Sequence, residues 1–250
     1  YLRDSRNKFN FTNLHDAKFD GWGLSFDHVK DSLRPWKVKA FVPYLKSGDS
    51  IYESACGSGL NLLLTLEVLL ENNITSITVS GNDYLEKSIY RANQIWGSPS
   101  IVRHKGSLCV GDSTNLSFVP SSTFDLVYTG YLDPLLDPLN LLPFNATAEE
   151  QGCSSVERCN SELAQEKNIS MQERKAQEDW TASWVLEMIR IAKPGAPVIV
   201  ETIQQSICRY QRGWGGVDQV WWKTAILGYG LDVDPESIVL KPSGVFKERY

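Results

Sequence analysis

Apolar positions along the chain alternate between short runs and helical spacing, and their order predicts an α/β protein. Ile51 and Tyr52 open a short buried strand that ends near Glu53. Gly57 and Gly59 follow, and then an apolar run over 60–70 with the length of a helix buried on most sides. Strand, glycine turn and buried helix in that order form the first half of a βαβ unit. The alternation then recurs. Residues 76–84 (SITVSGNDY) carry strand spacing at Ile77 and Val79 and lead into a helix over 85–93. Residues 108–116 hold a short strand ending in Gly111-Asp112, and 124–131 (FDLVYTGY) read as the next strand. Trp180, Trp184, Met188 and Ile191 return at helical spacing, Lys193-Pro194-Gly195 stops that helix, and 196–202 form a strand. Residues 217–227 read as a helix, while 237–240 and 244–250 flank a turn at Lys241-Pro242-Ser243.

Outside this series the pattern weakens. Residues 1–18 are polar and without period. Trp22, Phe26, Val29, Leu33 and Trp36 have a mixed three-to-four spacing interrupted by Pro35, which predicts one or two short helices. Residues 1–45 are therefore an arm and helical cap, and 46–250 a single core domain. Residues of about 134–177 begin proline-rich (Pro134, Pro138, Pro143), continue polar and charged, and read as an insertion. An insertion of that length is a lid or specificity element, or a loop without a role.

The glycine turn excludes two ligand motifs. The dinucleotide pattern GxGxxG needs glycine at position 62, where Leu62 stands, and no Gly-Lys-Ser/Thr follows for a P-loop. What is present is Glu53, two spacers, Cys56, then Gly57-Ser58-Gly59. This resembles motif I, (D/E)xGxGxG, of the class I S-adenosylmethionine-dependent methyltransferases, with Ala55 at the first glycine and Cys56 in the spacer. Three other stretches resemble the same family: Asp83 at the end of the second strand in GNDYLEKSIYRAN, Gly111-Asp112 after the third, and Lys193-Pro194-Gly195 before the fifth. The resemblance covers roughly 48–250 apart from the insertion. It implies a Rossmann-like, seven-stranded, mostly parallel sheet with helices on both faces and a C-terminal antiparallel hairpin.

The same resemblance implies S-adenosyl-L-methionine as the cofactor. It places Glu53, Ser54, Ala55, Cys56, Gly57, Gly59, Asn82, Asp83 and Tyr84 at that molecule, with Glu53 and Gly57 facing its amino acid end and Asp83 accepting from its ribose hydroxyls. Asp112 and Ser113 fall near the adenine, Thr129 at the end of the fourth strand, and Trp22 or Phe26 in an aromatic wall from the N-terminal helices. A surface aspartate capping the following helix is the other reading of Asp83. Transfer to a nucleophile is an in-line displacement, so the protein positions the nucleophile and manages its proton. Tyr131 and Asp133 qualify as catalytic residues by position, and His28 by type. The Asn/Asp-Pro-Pro-Tyr/Phe of amino-methyltransferases is replaced by Thr129-Gly130-Tyr131-Leu132-Asp133-Pro134, and no Pro-Cys nucleophile is present. No His/Asp/Glu cluster has metal-ligand spacing, and there is no G-x-S-x-G elbow. Trp214, Trp221 and Trp222 are either core packing or an aromatic wall suited to a cation.

Composition narrows the partners. A net charge of −5 without a Lys/Arg cluster argues against a nucleic-acid surface. No run of about 18 apolar residues predicts a membrane span, and no signal-peptide pattern is visible, although the chain begins at Tyr1 rather than Met. Five cysteines, an odd number, suit mostly reduced thiols in a cytoplasmic enzyme, with Cys153 and Cys159 as a candidate loop disulfide. Sequons at Asn10, Asn73, Asn115, Asn145 and Asn168 support the secretory pathway as the alternative. The expectation is a methyltransferase acting on a small-molecule N, O or S nucleophile, with no nucleic-acid or membrane partner. A protein lysine or N-terminal methyltransferase, or a catalytically silent S-adenosylmethionine-binding protein, are the alternatives. A nicotinamide oxidoreductase is disfavoured by Leu62.

Overall fold

Parallel pairing organises the sheet. In the computed structural model, which describes residues 26–97, 105–130, 171–200, 226–231 and 233–239, five strands lie side by side. They are β1 (Ser50–Ser54), β2 (Thr78–Asp83), β3 (Lys105–Val110), β4 (Leu126–Thr129) and β5 (Val198–Val200). Every neighbouring pair is parallel, in the order β3-β2-β1-β4-β5. The chain therefore builds outward from β1 through β3, then returns to the other side of β1. Ligands of such sheets bind beyond the carboxyl ends of the strands at this reversal, here between β1 and β4.

Strand alternation sends successive side chains to opposite faces. Ile51, Leu126 and Tyr128 join a core with Phe41 of α1 (Phe26–Phe41), Leu62, Leu66 and Leu69 of α2 (Leu60–Glu71), and Ile89 and Ala92 of α3 (Glu86–Trp96). Tyr52 and Val127 face the other way, against Trp184, Met188 and Ile191 of α4 (Met171–Ile191). Helices thus cover both faces. The α2 sequence LNLLLTLEVLLE is apolar nearly all round because the sheet takes one side and α1 another. Pro35 stands within α1 rather than dividing it. It lies on the exposed side, while Leu33, Lys37, Ala40 and Phe41 are buried, and that packing carries the helix through the proline. Lys37 is unexpected, being fully buried with its ammonium 4.8 Å from the Phe41 ring centre and 5.3 Å from that of Tyr128.

The described residues hold five strands rather than seven, and no C-terminal hairpin lies among them. Residues expected to begin its first strand instead follow a 3-10 turn, Pro235–Ser237. Asp234 accepts the Glu236 N–H at 3.0 Å and Pro235 presets the first helical φ, so a local cap precedes the apolar run of Ile238 and Val239. Residues 240–250, and 217–225 of the expected helix, lie outside the described residues; 226–229 form a 3-10 turn, Ile226–Tyr229. Its Leu227 and Tyr229 pack with Leu231 and Ile238 on Ala182 and Val185 of α4. The helix α4 begins at Met171, so residues 171–177, the end of the expected insertion, are helical. No helix among the described residues is long and apolar enough to cross a membrane.

One polar cluster fastens α4 to the loop before β4. Arg190 donates to the carbonyls of Leu116 (2.8 Å) and Val119 (2.9 Å) and to both Glu187 oxygens, and Glu187 accepts the Leu116 N–H. Arg190→Met leaves these four acceptor atoms without their donor and should cost roughly 2 kcal/mol in urea unfolding. The Arg190 bond holds the Glu187 carboxyl below its ordinary value, with the Leu116 N–H helping against burial. A lowered folded value means stability present above the carboxylate range and lost as pH falls through it. The variant should therefore lose less stability than the parent on acidification, measured by unfolding midpoints between neutral and acid pH.

Candidate functional site

The site grows from the end of β1. Cys56 N–H donates to the Asn82 carbonyl at 2.8 Å, drawing the glycine turn across to β2. Asp83, at the end of β2, then accepts the Gly57 N–H at 2.9 Å through one oxygen and the Leu85 N–H at 2.9 Å through the other. The carboxylate joins the turn to the residue before α3; Asp83 is buried rather than on the surface, and Leu85, the residue at the helix N-cap, carries no side-chain cap bond. A carboxylate has acceptor capacity beyond two bonds. Beneath it, the Tyr52 hydroxyl donates to Asn82 Oδ1 (2.9 Å), and Asn82 Nδ2 donates to the Gly111 carbonyl (2.8 Å) and Ser113 Oγ (3.0 Å). Asn82 and Ser113, expected at the ligand, are buried and serve as the tie between β1, β2 and the loop after β3.

The two glycines differ in what their missing side chains admit. An added Cβ at Gly57 meets nothing within 4 Å, whereas one at Gly59 would lie 2.5 Å from Trp96 Nε1 and 3.0 Å from Leu108 Cδ1. Gly57 is open to a ligand; Gly59 makes room for the indole of α3. Ala55 takes the left-handed φ of +57° that the motif's first glycine would supply.

Electrostatically the turn is acidic. Glu53 and Asp83 are both buried, and no Lys, Arg or His occurs between Lys46 and Lys87. Burial first, then these two carboxylates, push the Cys56 thiol well above its ordinary value, so it stays protonated. Glu53 accepts from Nδ2 of Asn61, in the first turn of α2.

Other expected residues stand apart from this group. Ser54 points to the opposite face, where its Oγ accepts from Trp184 Nε1 at 2.7 Å. Thr129, by strand alternation, shares that face with Val127; its hydroxyl is buried with no hydrogen-bond partner among the described residues. The Asp112 side chain is exposed and accepts from the N–H and hydroxyl of Thr114, a local turn rather than a contact into the site. Tyr84 is exposed at the end of β2. His28 lies in the first turn of α1. Trp22, Tyr131 and Asp133, the Trp214 cluster, Cys153 and Cys159, and Asn10, Asn145 and Asn168 lie outside the described residues. Asn73 and Asn115 are exposed. Among the described residues no group of three His, Cys, Asp or Glu could hold a metal ion.

Sequence reasoning missed Asn61, Trp96 and Phe118. Phe118 is half exposed and covers Gly111 so closely that a Cβ there would lie 2.8 Å from its ring. With exposed Val110 and Tyr84 it gives an apolar surface beside Asp83. Asn61 alone left a signal, a polar residue in the apolar run of α2.

Replacing either glycine by alanine puts a Cβ on a left-handed backbone, costing about 1–2 kcal/mol. Gly59→Ala should lose about 1–3 kcal/mol more than Gly57→Ala, because its Cβ overpacks the indole. Ala55→Gly should be neutral or raise stability by up to about 1 kcal/mol. Urea midpoints check all three; equal losses for the two glycine variants would show that Trp96 yields.

No protein-family profile matches the chain, and no curated protein matches it. Solved structures do. A SAM-dependent methyltransferase from Methanosarcina mazei aligns over 66% of this chain and 57% of its own, at 21% identity and a TM-score of 0.41. Phosphoethanolamine N-methyltransferase 1 of Haemonchus contortus, in complex with phosphoethanolamine and S-adenosylhomocysteine, aligns over 86% of this chain and 32% of its own, at 12% identity and 0.44. A SAM dependent methyltransferase from Aquifex aeolicus aligns over 84% and 87%, at 14% identity and 0.47. The chain thus spans less than two thirds of the first two. The sheet order β3-β2-β1-β4-β5 with its glycine turn after β1 is that of an open, Rossmann-like parallel sheet.

Proposed function

We propose that the chain binds S-adenosylmethionine and methylates a small-molecule N, O or S nucleophile. The observation that carries this is the acidic glycine turn. In a dinucleotide site the turn's N–H groups face a pyrophosphate; here the Gly57 N–H is held by Asp83, and Glu53 lies buried beside it. Two carboxylates at the turn disfavour an anion and favour a cation. Open space at Gly57 lets such a ligand approach the backbone.

When bound, S-adenosylmethionine supplies a methyl group made electrophilic by its sulfonium. The chain's residues bind and orient it: Asp83 accepts from ribose hydroxyls, Glu53 faces the amino acid end, and Tyr84, Val110 and Phe118 give an apolar bed for the base. The Asp112 side chain, turned to Thr114, leaves the adenine amino group to other acceptors of the 110–113 loop. The nucleophile enters beyond the carboxyl end of β4, where Tyr131 and Asp133 follow Gly130 and remain our candidates to take its proton, with His28 of α1. The overall charge of −5 suits a small acceptor better than a nucleic acid.

Calorimetric titration with S-adenosylmethionine, S-adenosylhomocysteine and NAD should show heat for the first two only. Asp83→Ala should weaken S-adenosylhomocysteine by about 1.5–3 kcal/mol, the range for hydrogen bonds to a charged group. Unchanged affinity in a folded variant would remove Asp83 from the ribose site, and NAD binding in its place would overturn the reading. Methyl transfer is checked separately, by S-adenosylhomocysteine release with a panel of amines, thiols, hydroxyl compounds and peptides.

A further inference from the structure

Five asparagines of this chain open an Asn-x-Ser/Thr triplet: Asn10, Asn73, Asn115, Asn145 and Asn168. Thirteen asparagines in a chain of this Ser and Thr content would produce about two by chance. The proposed methyl transfer uses none of them. Asn73 and Asn115 lie among the described residues, and the fold puts them at opposite edges of the sheet.

Asn73 comes directly after Asn72, the C-cap of α2. Its φ of +63° is left-handed, and its N–H donates to the Leu70 carbonyl at 3.0 Å as the helix ends. Asparagine is second to glycine at such a helix end, so the turn accounts for Asn73. It does not account for Thr75, exposed two residues on, whose hydroxyl reaches Ser47 Oγ only at 3.4 Å. Asn73 itself is exposed, and Leu70 beside it is 56% exposed, so a bulky polar group on Asn73 has apolar surface to cover. The turn stands at the amino ends of the strands, and the length of β2, about 16 Å, separates it from Asp83 at the carboxyl edge. Asn115 is exposed too, but it lies on the carboxyl edge, three residues before Phe118. Leu116 next to it is fully buried, with its N–H held by Glu187 and its carbonyl by Arg190.

We propose that Asn73 is an N-glycosylation site, and thus that the chain enters the secretory pathway. The step joins Asn73 Nδ2 to the anomeric carbon of an oligosaccharide carried on a lipid pyrophosphate. The C–N bond forms as the anomeric C–O bond breaks, the lipid pyrophosphate leaves, and the amide proton passes to the transferase. Ile74, which is not proline, and the Thr75 hydroxyl complete the acceptor. Once the chain has folded, the sugar must remain in solvent, and the exposed turn keeps it there. The described cysteines do not oppose an oxidising compartment. Cys56 is buried and its thiol stays protonated, which makes it a poor nucleophile for disulfide exchange. Cys109 is half-buried, with its Sγ donating to the Gly81 carbonyl at 3.6 Å. The site is independent of the function proposed above.

The test expresses the protein from its complete coding sequence in cultured eukaryotic cells, with no added leader. Enzymatic release of N-glycans in heavy-oxygen water turns an occupied asparagine into a labelled aspartate, which tandem mass spectra locate at position 73 rather than 72. Three variants accompany the parent. Asn73→Gly removes the acceptor and suits the left-handed backbone, Thr75→Ala removes the hydroxyl, and Thr75→Ser keeps it. The expected result is label at position 73 in the parent and in Thr75→Ser, with Asn73→Gly and Thr75→Ala each running one glycan step faster on gels. Parent protein recovered with unmodified Asn73 would overturn the proposal. So would an Asn73→Gly chain that migrates with its parent, or a Thr75→Ala chain that keeps the label. Should Asn73→Gly fail to accumulate, Thr75→Ala read against Thr75→Ser decides.

Discussion

A single carboxylate holds the two halves of the site in register. Asp83 receives the Gly57 N–H from the turn after β1 and the Leu85 N–H at the start of α3. Among the described residues, the Cys56–Asn82 backbone bond is the other hydrogen bond that draws the left-handed residues Ala55, Gly57 and Gly59 toward β2. The Asp83 bond also sets the character of the turn. An N–H that would otherwise solvate an anion is spent on a carboxylate, and the turn becomes acidic rather than anion-binding. Fold and ligand preference thus depend on the same contact.

Around that contact the molecule divides its polar groups between two faces. On the side of α1, α2 and α3, Glu53, Asn61 and Gly130 meet near the end of β4. On the side of α4, Trp184 engages Ser54, and Thr129 keeps a buried hydroxyl. The separation follows from strand alternation: residues adjacent in sequence at the end of β1 cannot face the same ligand from side chains. Of the motif's residues, Glu53 and Ser54 therefore contribute differently, one toward the site and one toward the packing of α4.

The order of strands and helices was legible because each has a strong local signature. Apolar alternation ending in Asp83, the leucine run of α2 and the Lys193-Pro194-Gly195 stop all act within a few residues. Failures came where local signals competed or where partners are distant. Pro35 suggested a break, but burial of Leu33, Lys37 and Phe41 outweighs one lost hydrogen bond. Ile238 and Val239 form a short apolar run like a buried strand's, yet Asp234-Pro235 caps a turn first. Asp112 also makes a contact its motif does not show, one oxygen accepting from the N–H and hydroxyl of Thr114 two residues on.

The sequence by itself determined the class of fold, the position of the glycine turn and the acid at the end of β2, since these depend on periodicity and on short motifs. Only the tertiary structure decided what each glycine is for. Gly57 and Gly59 are indistinguishable in sequence, but one faces open space and the other an indole from α3, 37 residues further along the chain. Asn61 is likewise an unremarkable polar interruption until β1 and β4 bring Glu53 and Gly130 to it. Close packing between segments far apart in sequence leaves no local trace, because the constraint lies in the shared volume and not in either segment alone.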